Sequence, residues 1–325
     1  MGMTLRMESW PLKQPFSTSQ FSISRSITLT VELRDGEFTG RGECEPHEHD
    51  AGIAQEVLRG LEFNRPLIEA GISRQELDRL LPAGPARNAI DCALWDLEAK
   101  RSGRRAWELA GVALRSPLTT AYTISLHSLA DMLADARSNR NRPLLKVKLG
   151  RRESLAIVEA VRCAAPDARL IVDVNGAWSF DELARSAAPL AKLGVELIEQ
   201  PLPAGGDAEL ASYRGPVPLC ADESCLDAAS LPALSPGYAY VNVKLDKTGG
   251  LTEALRLAES AKEKSLRIMV GCMNGTSLAI APAMVIGALA EICDLDSPLL
   301  LARDRAPGLR YEGSQVHIPA PDVWG

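Results

Sequence analysis

Residues Leu144-Leu145-Lys146-Val147-Lys148-Leu149-Gly150 read as an apolar strand that ends in two lysines one residue apart. Side chains at i and i+2 of a strand share a face, so both ammonium groups point the same way. At a Cα separation of roughly 6.6 Å and an effective dielectric near 20, the two charges repel by about 2.5 kcal/mol, enough to pull a lysine pKa down by about two. The pair predicts a lysine that has to lose its proton, and the rest of the chain is read for what surrounds it.

On both sides of this stretch, after Pro117, short apolar strands alternate with amphipathic helices. The strands read as Thr119 to Ile124, Leu144 to Lys148, Leu170 to Val174, Glu196 to Glu199, Leu219 to Asp222, Tyr240 to Lys244, Ile268 to Gly271 and Ile292 to Leu295. From Lys148 onward they recur every 22 to 27 residues, the rhythm of successive βα units. Eight strands and seven intervening helices predict an α/β fold, a (β/α)7β modified TIM barrel whose eighth helix is replaced or displaced. Upstream, Ser22 to Leu33 alternates polar and apolar residues, Arg34-Asp35-Gly36-Glu37 turns, and Phe38 to Cys44 returns. Helical periodicity then runs from Ala51 to Ala110, with Ile90, Leu94, Trp95 and Leu97 largely on one face and Gly103 closing the run. The expected organisation is an α+β capping domain over 1–115, the barrel over 116–304, and a tail over 305–325 that returns to the capping domain through Tyr311, Val316 and Ile318.

Active sites of such barrels lie at the C-terminal ends of the strands. Strand two ends in Lys146 and Lys148, strand three in Asp173, strand four in Glu199, strand five in Asp222 and strand six in Lys244. A single charged residue at a strand end is more often a cap or a solvated loop residue. Five in register, ordered lysine, acid, acid, acid, lysine, point to a site. Three carboxylates in one barrel mouth repel unless a cation sits between them, and all-oxygen ligation with open positions suits Mg²⁺. Lysines on strands two and six lie half a barrel apart and can address opposite faces of one carbon.

Asp294 and Asp296 repeat the i, i+2 logic at strand eight, either to hold a cationic substrate group or to cap the turn before Pro298. Asn175, Glu223 and Asp246 follow key residues closely and are expected to orient or neutralise them. Cys272 has no paired histidine nearby in sequence and reads as lining. His47 and His49 sit in a polar loop without further ligands and read as solvated.

Composition narrows the class. With 325 residues, 46% apolar, the chain can bury a full core. A net charge of -6 without a basic, aromatic-laced patch argues against nucleic acid. The longest greasy run, Leu278 to Ala290, is too short to span a bilayer and contains Pro282. Met1 to Trp10 carries Arg6 and Glu8 and lacks the apolar run of a signal peptide. Seven scattered cysteines with no CxxC pair suit reduced thiols and a cytoplasmic setting. A homo-oligomer remains open.

The order Lys-x-Lys, Asp-x-Asn, Glu-Gln-Pro, Ala-Asp-Glu-Ser and Lys-x-Asp-Lys-x-Gly-Gly behind a small α+β cap resembles the enolase superfamily in its muconate-lactonising branch. Within it, Asp294-Leu295-Asp296, Leu245-Asp246-Lys247-Thr248-Gly249-Gly250 and Gly271-Cys272-Met273 are similar to the dipeptide epimerases, especially the L-Ala-D/L-Glu type. The resemblance implies Mg²⁺ on Asp173, Glu199 and Asp222, Lys148 and Lys244 as the two acid/base catalysts, and Lys146 as the partner of the substrate carboxylate. Asp294 and Asp296 would bind the free ammonium of a small-molecule dipeptide. Gln20 stands where an arginine for the glutamate side chain is implied, and Arg25 falls five residues later, within the following strand. Reaction type is therefore better supported than the second amino acid. The expected chemistry is 1,1-proton transfer. A cycloisomerase or o-succinylbenzoate-synthase-like lyase, which needs one proton transfer and no ammonium site, and a non-catalytic Mg²⁺-dependent binder of small carboxylates remain alternatives.

Overall fold

The computed structural model of the chain describes residues 1–46, 51–114, 117–151 and 154–325. It opens with an antiparallel three-stranded sheet of β1 (Gly2–Ser17), β2 (Ser22–Asp35) and β3 (Phe38–Cys44), followed by α1 (Ala51–Glu69), α2 (Arg74–Leu80), α3 (Pro85–Ser102) and α4 (Ala106–Leu109). The alternation in β2 buries Leu29, Val31 and Leu33 against Ile90, Ala93, Leu94 and Leu97 of α3. Ser73 caps α2 reciprocally with Glu76, and α3 stops where Gly103 turns left-handed.

The chain then reaches β4 (Leu118–Thr119), β5 (Tyr122–Ile124), α5 (Leu129–Ser138), β6 (Leu144–Lys148), α6 (Ser154–Ala164), β7 (Arg169–Asp173), α7 (Phe180–Lys192), β8 (Val195–Glu199) and β9 (Leu219–Ala221). It continues through β10 (Tyr238–Val243), α8 (Leu245–Thr248), α9 (Leu251–Glu263), β11 (Arg267–Val270), α10 (Ser277–Gly287), β12 (Ile292–Cys293) and α11 (Ser297–Leu300). Strands β5 to β12 pair in sequence order in one parallel sheet. A parallel bridge between Thr120 and Cys293, with Ala121 N–H donating to Cys293 O at 2.8 Å, joins its two ends. This is the expected modified TIM barrel behind a β-rich cap.

Two details differ from the sequence reading. The stretch Thr119 to Ile124 is split: Tyr122–Ile124 belongs to the barrel, while Leu118–Thr119 pairs outward with the tail strand β14 (Gln315–Val316), itself paired with β13 (Tyr311–Glu312). Two of the seven expected helices are replaced by 3₁₀ segments, Ala208–Ser212 and Ala228–Ala233. Their connections carry Pro201, Pro203, Gly205, Gly206, Pro232 and Pro236, which break an α-helical ladder.

Cap and barrel are tied by buried polar contacts. Asp91 of α3 accepts from the Thr252 backbone N–H (2.9 Å) and hydroxyl (2.5 Å), and Arg87 donates to Thr248 O and Gly249 O. Gly249 and Gly250 adopt φ of 78° and 115°, and a Cβ on either would strike Arg87 or Asp91, so the α8–α9 turn admits the cap only as glycine. Arg305 stands 2.6 Å from both Glu8 and Glu43 and donates to Thr276 at the start of α10. The tail then runs over α3, where Trp324 is fully buried and its indole donates to Cys92 O.

Candidate active site

Period-2 geometry in β6 puts Lys146 and Lys148 inside the barrel, 2% and 6% exposed. The ammonium of Lys146 lies 2.7 Å from Glu199, 2.7 Å from Asp294 and 3.0 Å from Asp173. Lys148 donates to Asp173 Oδ2 (2.7 Å) and Asn175 Oδ1 (3.2 Å), and Lys244 donates to Asp222 Oδ2 (2.6 Å). For Lys146 the direction is opposite to the fall expected from mutual repulsion. Burial works against the charge on Lys146, but Asp294, Glu199 and Asp173 outweigh it and hold its pKa well up. Lys244 goes up too, where Asp222 outweighs burial. A neighbouring like charge counts for less than carboxylates at hydrogen-bond distance.

Asp173, Glu199 and Asp222, at the ends of three consecutive strands, offer oxygens within 4.8 Å of one another and are essentially unexposed. They respond differently to shared burial. It pushes Glu199 up to about 8, with Asp173 adding to the effect. For Asp173, Lys148 and Lys146 overcome burial and bring the carboxyl down to about 2. Lys244 and Lys247 hold Asp222 well below the usual range. Among the described residues Glu199 Oε2 is buried without a hydrogen-bond partner, 2.7 Å from the Lys146 ammonium. Three hard, converging oxygen donors fit a small divalent cation, and such a donor set suits Mg²⁺.

Above them opens a cavity of about 490 Å³, the size of a small-molecule site. Asp294 and Asp296 both line it, 5% and 3% exposed. Asp296 precedes α11 without a side-chain capping bond and accepts from the Thr123 N–H at 2.6 Å, while Asp294 Oδ1 is buried without a hydrogen-bond partner. Turn capping therefore does not explain the pair. Burial and the neighbouring Asp294 push the Asp296 carboxyl up to about 7.

Asn175 bridges Lys148 to Glu223 through its amide, 3.2 Å on each side. Asp246 accepts from Asn88 of the cap at 2.8 Å. Cys272 lines the cavity, and burial, with Asp294 and Asp296 nearby, pushes its thiol well above the ordinary value. His47 and His49 lie outside the described residues. From the cap, Phe16, Thr18, Gln20 and Phe21 line the cavity, whereas Arg25 lies in β2 opposite Pro11. Among the described residues the cavity's cationic side chains are four barrel lysines.

Three contributors escaped the sequence reading. Lys247 donates to Asp222 Oδ1 (2.5 Å) and to the carbonyls of Asp222, Cys225 and Asn242. Asn242 donates to Glu199 Oε1 at 2.7 Å, and Gln200 accepts from the Asp222 and Ser224 N–H groups. Asn242 was findable, two residues before Lys244 and so on the same face. Gln200 has a left-handed backbone, φ 36°, that its sequence does not signal.

Residues 1–111 match the family model of the mandelate racemase / muconate lactonizing enzyme N-terminal domain, and residues 128–321 match that of the enolase C-terminal domain-like family. The chain belongs to the enolase superfamily. Within this superfamily it is 42% identical to the L-Ala-D/L-Glu epimerase of Escherichia coli K12, over 96% of this chain and 98% of that one. An enolase family member of Agrobacterium tumefaciens with homology to dipeptide epimerases, solved with sodium and L-Ala-L-Glu, superposes with a TM-score of 0.95 at 46% identity, over 99% of each chain. The dipeptide epimerase of Methylococcus capsulatus, solved with Mg and L-Arg-D-Lys, gives 0.87 at 31% identity, covering 98% of this chain and 96% of that one.

Proposed function

We propose that this enzyme is a Mg²⁺-dependent dipeptide epimerase that moves a proton between the two faces of the α-carbon of the C-terminal residue. The observation that carries the reading is the mirror arrangement of Lys148 and Lys244. They end strands four steps apart, and each is hydrogen-bonded to a different outer member of the carboxylate triad. The isomerases to which the chain is similar give the reaction class.

In this reading Asp173, Glu199 and Asp222 hold Mg²⁺, which supplies positive charge at the substrate carboxylate. Lys146 pairs with that carboxylate, and Asp294 and Asp296 receive the dipeptide's free ammonium, which anchors the other end. One lysine, as the neutral amine, takes the α-proton. The electron pair left on carbon delocalises into the adjacent carboxylate, and the opposite lysine, as ammonium, delivers a proton to the other face. Deprotonating a lysine near neutral pH costs about 4 kcal/mol relative to its ordinary pKa. The site has to supply this against its own carboxylates. Dipeptides of the L-Ala-D/L-Glu type are the first substrates to try. With no cap arginine among the described residues of the cavity, Phe16 and Phe21 set the side chains that the second position accepts.

Incubating the enzyme with a dipeptide library in D₂O and Mg²⁺, and reading mass shifts, tests the function. The expected result is one deuterium at the α-carbon with formation of the diastereomer, abolished by EDTA and restored by Mg²⁺. Binding without exchange would overturn the reading in favour of a non-catalytic carboxylate binder.

A further inference from the structure

The loop between β1 and β2 reaches into the barrel mouth and makes barrel contacts on both sides of Lys148. Thr18 folds it, its hydroxyl accepting from the N–H groups of Gln20 (3.1 Å) and Phe21 (3.3 Å). Ser17 N–H donates to Ser125 Oγ (2.6 Å), and Leu126 N–H donates to Ser17 O (3.0 Å), which fixes the loop to the end of β5. At its other side Ser19 Oγ donates to Val174 O, and Gln20 Nε2 donates to Asn175 O at 2.7 Å. The loop thus straddles the end of β6, where Lys148 sits.

One direct contact, from Phe16 at the end of β1, and one through Asn175 connect this part of the cap to the Lys148 ammonium. The ring of Phe16 lies with its centroid 5.6 Å from Nζ, within cation–π range. Asn175, the residue Gln20 grips, holds a left-handed φ of 47° that asparagine adopts at some cost, and in that conformation its side chain accepts from Lys148. Lys244 has no such tie: among the described residues its hydrogen-bond partner is Asp222 of the barrel.

We infer that Gln20 is a positioning residue for one base only: by clipping the cap loop to the Asn175 carbonyl it sets the side chain that aims Lys148, and leaves Lys244 untouched. The inference rests on the two-base reading for its catalytic consequence and on the geometry alone for its structural one. Loss of the Gln20 donor should therefore disturb proton transfer on the Lys148 face while the Lys244 face keeps working.

The test follows α-hydrogen exchange in D₂O for L-Ala-L-Glu and L-Ala-D-Glu offered separately, with Mg²⁺ present. Lys148→Ala first identifies the diastereomer whose proton Lys148 removes, as the one that ceases to exchange. Gln20→Ala is expected to slow exchange of that diastereomer by about tenfold while the other still exchanges with retention, and Gln20→Met, which keeps the length and loses the N–H donor, is expected to slow it likewise. Equal slowing of both diastereomers, or of neither, overturns the inference. If Lys148→Ala itself stops both exchanges or neither, the two-base reading is what fails. A substrate-free measurement then decides the positioning role: brief acetylation followed by peptide mass spectrometry, in which Gln20→Ala raises the labelling of Lys148 relative to Lys244. An unchanged ratio overturns it.

Discussion

Lys148 and Lys244 are nearly equal in burial, and their ion pairs measure 2.7 and 2.6 Å, yet different parts of the molecule hold them. Around Lys148 stand Asn175, which the cap loop grips, and Phe16 of the cap itself. Among the described residues Lys244 donates to a barrel residue, Asp222, which is fixed from one side by Lys247 and from the other by Gln200. On the inference above, one lysine is held by the barrel and the other is adjusted by the cap loop. A fold that changes its cap loop can therefore alter substrate preference and one half-reaction together, with the other half left intact.

The severest way to break this comparison is to remove each base. Lys148→Ala and Lys244→Ala are each expected to cut epimerisation by about 10³-fold or more, each sparing exchange of the opposite diastereomer, measured by deuterium incorporation. Equal loss of exchange from both diastereomers in either variant would make the lysines a single unit. Lys247→Met strikes the support of Asp222, the partner of Lys244. It leaves Asp222 Oδ1 and three carbonyls without their buried partner, at an expected cost of about 3 kcal/mol in denaturant unfolding.

Loosening the cap where it docks on the α8–α9 turn is the next step. Burial raises the Asp91 carboxyl to about 6 from its ordinary 3.8, against the pull of its Thr252 hydrogen bonds. Between those values the folded chain keeps a proton that the unfolded chain has released, so this contribution to stability is present at pH 4 and lost as pH rises through 6. It amounts to roughly 3 kcal/mol. Asp91→Asn removes the titration, so the stability of wild type relative to the variant should fall by that amount between pH 4 and 7. A pH-independent gap would show Asp91 to be ionised throughout. Smallest is the effect common to both bases. Asp294→Asn with Asp296→Asn should lower kcat/KM for dipeptides by about 10²-fold while N-acetylated analogues, which lack the ammonium, respond little. Full activity of the double variant would instead favour a one-proton cycloisomerase or lyase.

The barrel and its charged strand ends were legible because both are local patterns. Lys146 and Lys148, or Asp294 and Asp296, face one way by strand periodicity alone, and an apolar run ending in an acid needs no partner to be noticed. The two 3₁₀ connections were misread because the 22-to-27-residue spacing invites a helix, although Pro201, Pro203, Gly205 and Gly206 argued otherwise. The pKa direction of Lys146 was missed for a different reason. Its nearest like charge is two residues away in sequence, while Glu199 and Asp294, which decide the outcome, come from other strands. Phe16 and Gln20 carry no motif at all. Their roles depend on where a cap loop comes to rest, a tertiary fact.

Arg305 bears on how the chain reaches this state. It neutralises Glu43, which is buried, together with Glu8, across sequence separations of 262 and 297 residues. Burying Glu43 without that counter-charge is costly, so the cap sheet cannot settle fully while those later residues are still inside the ribosome. Vectorial synthesis thus leaves the first strands waiting for the last turn of the barrel, and the high contact order of this clamp predicts slow, late maturation of the cap. The active site, which borrows Phe16 and Gln20 from that cap, would be completed among the last events of folding.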